Sequence, residues 1–222
     1  MRKVVGAAIG AVMAFVATNV NAAIIHESAT LGTTGHTGGT AVFPIAPGED
    51  ARFLASRFTL SDSYKISSVG GHLTGRGTLF AAIVDLADGA SAPLPNGTPF
   101  DSTEVLATAV FSVSPGSSLV TVPMNVTLDA GKYGLVFGSG IFGALGSGAM
   151  PDAARTGATN IDGAGSYFFW KGREDTWFNN EGILSRFEIS GDLATDVPEP
   201  ATLALFAFGL AGLGFARRRG RA

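Results

Sequence analysis

From Ala23 to Val197 the chain consists of short runs in which apolar and polar residues alternate, broken by Gly, Pro, Asn and Asp. Alternation with a period of two puts successive side chains on opposite faces of an extended strand. No stretch of twelve residues in this span shows the three- and four-residue spacing of an amphipathic helix. The pattern predicts strands at Thr40–Ile45, Arg52–Leu60, Lys65–Leu73, Thr78–Leu86, Val105–Val113, Leu119–Leu128, Lys132–Phe137, Ser166–Lys171 and Arg186–Ser190. In one of them Val105, Ala107, Ala109, Phe111 and Val113 line a single face. Leu119–Val122 and Asn125–Leu128 are rich in β-branched residues, and Pro123 between them marks an edge or a bulge. Ser61-Asp62, Pro95-Asn96-Gly97 and Asp129-Ala130-Gly131 supply turns.

Strands of this length and spacing predict one all-β domain, an antiparallel β-sandwich of jelly-roll type, with a closed barrel as the alternative. Its expected bounds are residues 23–191. Two intervals are long for sandwich connections. Leu86 to Thr103 carries three prolines and reads as an extended surface loop, and Gly138 to Gly165, rich in Gly and Ala, reads as a mobile one. Asp192 to Val197 reads as a linker.

The alternation stops at both ends. Met1-Arg2-Lys3 precedes an uncharged apolar run from Val4 to Val16, and small residues follow at Val20-Asn21-Ala22. This is the layout of a secretory signal peptide spanning residues 1–22, a short signal helix cut by signal peptidase between Ala22 and Ala23. At the other end Pro198-Glu199-Pro200 breaks the chain, Ala201 to Ala216 is a sixteen-residue stretch without charge, and Arg217, Arg218, Arg219 and Arg221 close it. Two prolines cannot continue a strand or a helix, so they separate the segment from the body. At 1.5 Å per residue the apolar stretch reaches roughly 24 Å, short of the ~30 Å hydrocarbon core but within what snorkelling arginines and local thinning accommodate. It is predicted to be a transmembrane helix. Basic residues flank both apolar segments on their outer sides, which places both flanks in the cytoplasm and the body across the inner membrane.

The segment from Val197 to Arg221 resembles the PEP-CTERM sorting signal of Gram-negative bacteria, with its Pro-Glu-Pro motif, transmembrane helix and arginine cluster in order at the C-terminus. The resemblance implies recognition of residues 198–221 by an exosortase, a membrane-embedded processing enzyme, and removal of the tail. The body would be anchored in the inner membrane before processing and placed in the cell envelope or outside the cell after it. A second resemblance covers Val126–Phe137, whose Leu128-Asp129-Ala130-Gly131-Lys132-Tyr133 is similar to a strand pair common in jelly-roll domains of exported bacterial proteins. Ile66 to Leu86 and Phe187–Gly191 fit the first and last strands of that pattern, which bears on fold more than on function.

Charge sharpens the picture once the ends are set aside. Nine of the 15 Lys and Arg and 17 of the 18 Asp and Glu lie between Ala23 and Val197, so the body is near −8 against −3 for the whole chain. An acidic surface of that size argues against nucleic acid or anionic lipid as a partner. The chain has no cysteine, which excludes disulfides, thiol catalysis and thiolate metal sites.

Candidate chemistry is sparse. Tyr167 to Asn180 holds both tryptophans, Trp170 and Trp177, among Asn, Asp, Glu and Arg. Aromatic faces stack on sugar rings, so this segment is a candidate glycan contact; packing of its alternate residues into the core is the competing reading. His26, His36 and His72 lack the pairing of a metal site, and Asp85 and Asp88 read as solvated charge more readily than as calcium ligands. A secreted hydrolase would need carboxylates such as Glu174, Asp175 and Glu181 to converge. No phosphate-binding loop and no Gly-x-Ser-x-Gly elbow occurs, and no cofactor is expected. The expectation is an exported non-enzymatic protein with a structural or adhesive role in the envelope or the extracellular polysaccharide matrix. The alternative is a carbohydrate-binding module built on Tyr167–Trp177.

Overall fold

The computed structural model describes residues 22–29, 40–42, 51–86, 93–151, 167–180 and 185–194. The expected signal helix at 1–22, apart from Ala22, and the sorting segment at 198–221 lie outside them. The described residues form eleven strands and no helix, so none of them crosses a membrane as a helix. All pairings are antiparallel. The all-β antiparallel class predicted from the alternation is the class observed.

The axis of the fold is strand β4, Tyr64–Asp85, 22 residues long. Before it come β1 (Ala23–Glu27), β2 (Thr40–Val42) and β3 (Arg52–Leu60). After it come β5 (Val105–Val113), β6 (Ser118–Leu128), β7 (Gly131–Gly138) and β8 (Ser147–Met150). The chain continues through β9 (Tyr167–Lys171) and β10 (Thr176–Asn179) to β11 (Phe187–Leu193). The first half of β4 lies between β11 and β6, with Val69 opposite both Ile189 and Val122. The second half lies between β5 and β7, with Ala81 opposite both Ala109 and Phe137. Between the halves, Thr74, Gly75 and Arg76 pair with β8, which also pairs with β2. One curled sheet thereby folds into two layers, β1-β11-β4-β6 and β5-β4-β7-β3-β9-β10.

The alternation predicts two strands where β4 is continuous. Thr74-Gly75-Arg76-Gly77 falls between the two predicted strands, yet the chain does not leave the sheet there because β8 supplies partners across it. Gly77 has a φ of 77°, a left-handed conformation that side chains other than glycine rarely adopt. The strands β3 and β5 begin and end where the alternation predicts them.

The inner face of each layer contributes to the main core. Leu54 and Phe58 of β3, Ile66 and Leu79 of β4, Phe137 of β7 and Ile189 of β11 pack there. A second apolar cluster covers the opposite face of the six-stranded layer: Phe53, Phe80, Val84, Val136, Phe168 and Trp170. The continuous apolar run Leu79–Val84 is therefore buried on both faces.

The expected extended surface loop at 86–103 is corrected in its described part. Residues 93–104 fold over the second cluster, and the Phe100 ring stacks on Phe53 at 6.0 Å. Glu104 holds this cover down. Its buried carboxylate accepts N–H bonds from Gly97 (3.1 Å), Asp101 (2.9 Å) and Asn96. The Glu104 N–H in turn donates to the Asp101 carbonyl at 3.2 Å, closing the Asp101–Glu104 turn, so the Glu104 carboxylate reaches back to the Asp101 N–H as in one half of a capping box. The expected mobile segment also contains ordered structure: residues 139–146 form a pinned turn in which Ser139 Oγ donates to the Gly146 carbonyl and accepts the Gly146 N–H, and β8 follows.

Candidate functional site

The two chain ends of the β-domain meet in one sheet. β1, the first described strand, pairs with β11, the last, and Ala23 lies opposite Gly191. The expected cleavage position at Ala22 and Ala23 therefore adjoins the strand that runs into the tail. β1 is held by specific contacts. Ser28 Oγ donates to the Ser185 carbonyl at 2.7 Å and accepts the Phe187 N–H at 2.8 Å. Arg186 lies between two carboxylates, 2.8 Å from Glu27 and 2.7 Å from Glu188, all three largely buried. His26 is buried with its ring 5.5 Å from that of Phe58.

β11 continues through Asp192 and Leu193, opposite Lys65 and Tyr64, into the span expected to be linker. The Ala194 N–H then donates to the Ser63 carbonyl at 2.8 Å. Extended backbone advances at most ~3.6 Å per residue, so the four steps from Ala194 to Pro198 reach no more than about 14 Å.

The aromatic segment has a different character from the glycan platform considered above. β9 and β10 form a hairpin with Trp170 opposite Trp177. Trp170 is 3% exposed and stacks on Phe53 at 5.0 Å. Trp177 is 7% exposed, packs on Phe100 (5.5 Å) and Phe168 (5.3 Å), and donates its indole N–H to the Pro99 carbonyl at 2.8 Å. Neither ring has a face free for a sugar, because alternation along the hairpin points both into the second cluster. Arg57 braces the same region: its Nε donates to the Pro93 carbonyl at 2.6 Å, a terminal nitrogen donates to Asn179 Oδ1, and the guanidinium lies 4.7 Å over the Phe168 ring. Burial lowers its pKa to about 10, which leaves it charged at neutral pH.

The other candidates are dispersed. Glu174 sits in the hairpin turn and pairs with Lys171 at 2.8 Å, Asp175 is exposed beside it, and Glu181 lies outside the described residues. His36 and Asp88 also lie outside them, while His26 and His72 are buried on β1 and β4. Among the described residues no three His, Asp or Glu side chains gather as a metal site would require. A shallow cleft of about 290 Å³ opens at the bend of β4, lined by Thr74, Arg76, Pro115 and Ser147. The sequence reading missed Glu104, whose signal is the Asp-x-x-Glu spacing, and Arg57, which has no local signature.

Comparison with known families bears on the tail. Residues 196–219 match the PEP-CTERM protein-sorting motif. The match takes in Pro198, Glu199, Pro200, Arg217, Arg218 and Arg219, with Arg221 just beyond it. The chain thus carries the C-terminal signal of PEP-CTERM proteins, which marks it for export and for processing by an exosortase-type enzyme. No curated protein matches the sequence.

Proposed function

We propose that this is an exported, non-enzymatic protein whose β-domain serves a structural or adhesive role in the cell envelope or the extracellular polysaccharide matrix. In this reading residues 1–22 direct export and are removed between Ala22 and Ala23. The helix at 201–216, stopped by Arg217–Arg219 and Arg221, holds the body at the outer face of the inner membrane. An exosortase recognises Pro198, Glu199 and Pro200 and separates body from tail. The observation that carries the reading is the sorting motif at 196–219. Any contact with polysaccharide falls to open surface such as the cleft around Thr74, Arg76 and Ser147, and not to Trp170 or Trp177.

The test replaces Pro198-Glu199-Pro200 with three alanines in a host that has an exosortase. The C-terminus is then read by mass spectrometry and the protein located by fractionation. Loss of the C-terminal cut and accumulation in the inner membrane are expected. Unchanged processing and location would remove the reading.

A further inference from the structure

Among the described residues Phe142 is the one exposed aromatic side chain, 42% open to solvent. It stands in a turn that is tightly held. Ser139 Oγ bonds to both the N–H and the carbonyl of Gly146, the Gly140 N–H donates to the Ala144 carbonyl at 2.9 Å, and the Leu145 N–H donates to Thr78 Oγ1 at 2.9 Å. Phe142 itself has a φ of 53°, a left-handed conformation that a bulky residue keeps only where its surroundings enforce it. Its ring is braced by Phe80, nearly at right angles 5.1 Å away, and by Phe100, nearly parallel at 6.2 Å. Phe100 in turn packs on Trp177, so Phe142 is the open end of an aromatic row whose tryptophan is buried.

The surface beside it continues along β4. Leu73 and Leu79 point into the main core and Phe80 into the second cluster, so by alternation Thr74, Arg76 and Thr78 share the outer face with Phe80. Thr74 and Arg76 line the cleft together with Pro115 and Ser147. Arg76 is exposed and makes no ion pair with another described residue. Residues 114–117 and 139–147 both hydrogen-bond to residues 74–78. Together the three segments contain no Asp or Glu, and Arg76 is their only charge in a body near −8. From Arg76 to Phe80 is roughly 13 Å of strand, so the guanidinium and the Phe142 ring lie within reach of one extended ligand.

We propose that this face binds a neutral polysaccharide, with Phe142 stacked on one sugar ring and Arg76 and Ser147 bonded to hydroxyls further along the same chain. The assignment rests on the adhesive role proposed above. A sugar ring turns polarised C–H bonds toward the electron-rich face of an aromatic ring, and Phe142 is the described aromatic with most area to offer. The guanidinium is planar, with five donors and no acceptor, which suits adjacent hydroxyls; Ser147 adds a donor and an acceptor. Pro115 and Leu145, the latter 85% exposed, supply apolar contact without further charge. The ligand is neutral because one arginine does not offset the repulsion between a polyanion and a body near −8. Ten residues of β4 separate Thr74 from Tyr64, the partner of Leu193, so the face lies roughly 30 Å from the strand end that leads to the tail.

The test is affinity electrophoresis of the full-length protein, solubilised in a detergent without a sugar headgroup. Native gels are cast with dextran, a β-1,3-glucan, galactomannan or polygalacturonate. Retardation is expected in at least one of the neutral gels and not in polygalacturonate. Phe142→Leu and Arg76→Gln each raise the dissociation constant about tenfold or more, while Phe142→Tyr keeps it within about twofold. Ile24→Ala, which trims an exposed apolar side chain on β1, leaves it unchanged. Emission from the buried Trp170 and Trp177 shows that each variant is folded, and Arg76→Gln decides the matter should Phe142→Leu unfold. No retardation in any neutral gel, retardation in polygalacturonate alone, or binding that survives both Phe142→Leu and Arg76→Gln would overturn the proposal. The purified protein needs no step of the sorting pathway. Absent retardation with normal sorting therefore removes this assignment alone, and unchanged processing after alanine replacement of Pro198-Glu199-Pro200 removes the sorting reading alone.

Discussion

The tail and the β-domain carry information in opposite ways. In the tail everything that matters is contiguous: two prolines, sixteen uncharged residues and four arginines within residues 198–221. Another protein reads it, so its meaning does not depend on how the rest of the chain folds. In the β-domain every feature is made by neighbours distant in sequence. Glu27 meets Arg186, Ser28 binds Ser185 and Phe187, and Phe53 packs on Phe100 and Trp170. An address can be legible where a role is not.

That contrast predicts a double dissociation. The largest effect belongs to the alanine replacement of Pro198-Glu199-Pro200, which abolishes C-terminal processing while the urea midpoint of the β-domain stays unchanged. The converse comes from the main core. Phe137 is fully buried on β7 between Phe111 and Phe187, so Phe137→Ala removes about 3–5 kcal/mol, read by urea unfolding. Any protein that still reaches the membrane keeps a cleavable tail.

A smaller effect separates the second cluster from the first. Glu104→Ala strands three backbone N–H donors under the 93–104 cover and costs about 2–4 kcal/mol. Hydrogen exchange should rise in residues 93–104 and in Trp177 before it rises in β4. Gly97→Ala is expected to act on the same cover, because a Cβ there would overlap the backbone of Phe100 and Asp101.

The smallest effect concerns Arg57. Arg57→Met leaves the Pro93 carbonyl and Asn179 without their donor and costs about 1–2 kcal/mol. The sign of its pH dependence follows from the lowered pKa. From about pH 10 up to the ordinary arginine pKa the unfolded chain binds the proton that the folded one has released, so the Arg57 contribution to stability rises with pH in that window. Below it both states are protonated, and the difference between wild type and Arg57→Met should be level from pH 6 to 9.

Legibility followed the range of the interactions. β3 and β5 are long enough for alternation to show, and their ends agree with the pattern. β1, β8 and β10 have five, four and four residues, too few for a period of two to stand out. The continuity of β4 depends on partners distant in sequence, β8 at Thr74–Arg76 and the Ser114 carbonyl at Gly75, so no local reading of Thr74–Gly77 could supply it. The second cluster went unseen because Leu94 and Phe100, which pack against it, sit in a proline-rich stretch without periodicity. For the same reason Trp170 and Trp177 looked available: their burial depends on residues 93–104, about seventy positions earlier in the chain.

The central claim is that the address acts without the domain it delivers. The direct measurement fuses residues 195–222 to an unrelated exported domain and follows the C-terminal mass and location in an exosortase-bearing host. The account predicts that the fusion is cut and leaves the inner membrane as the native protein does. A fusion that keeps its tail and stays in the membrane, while the native chain is processed beside it, would contradict it.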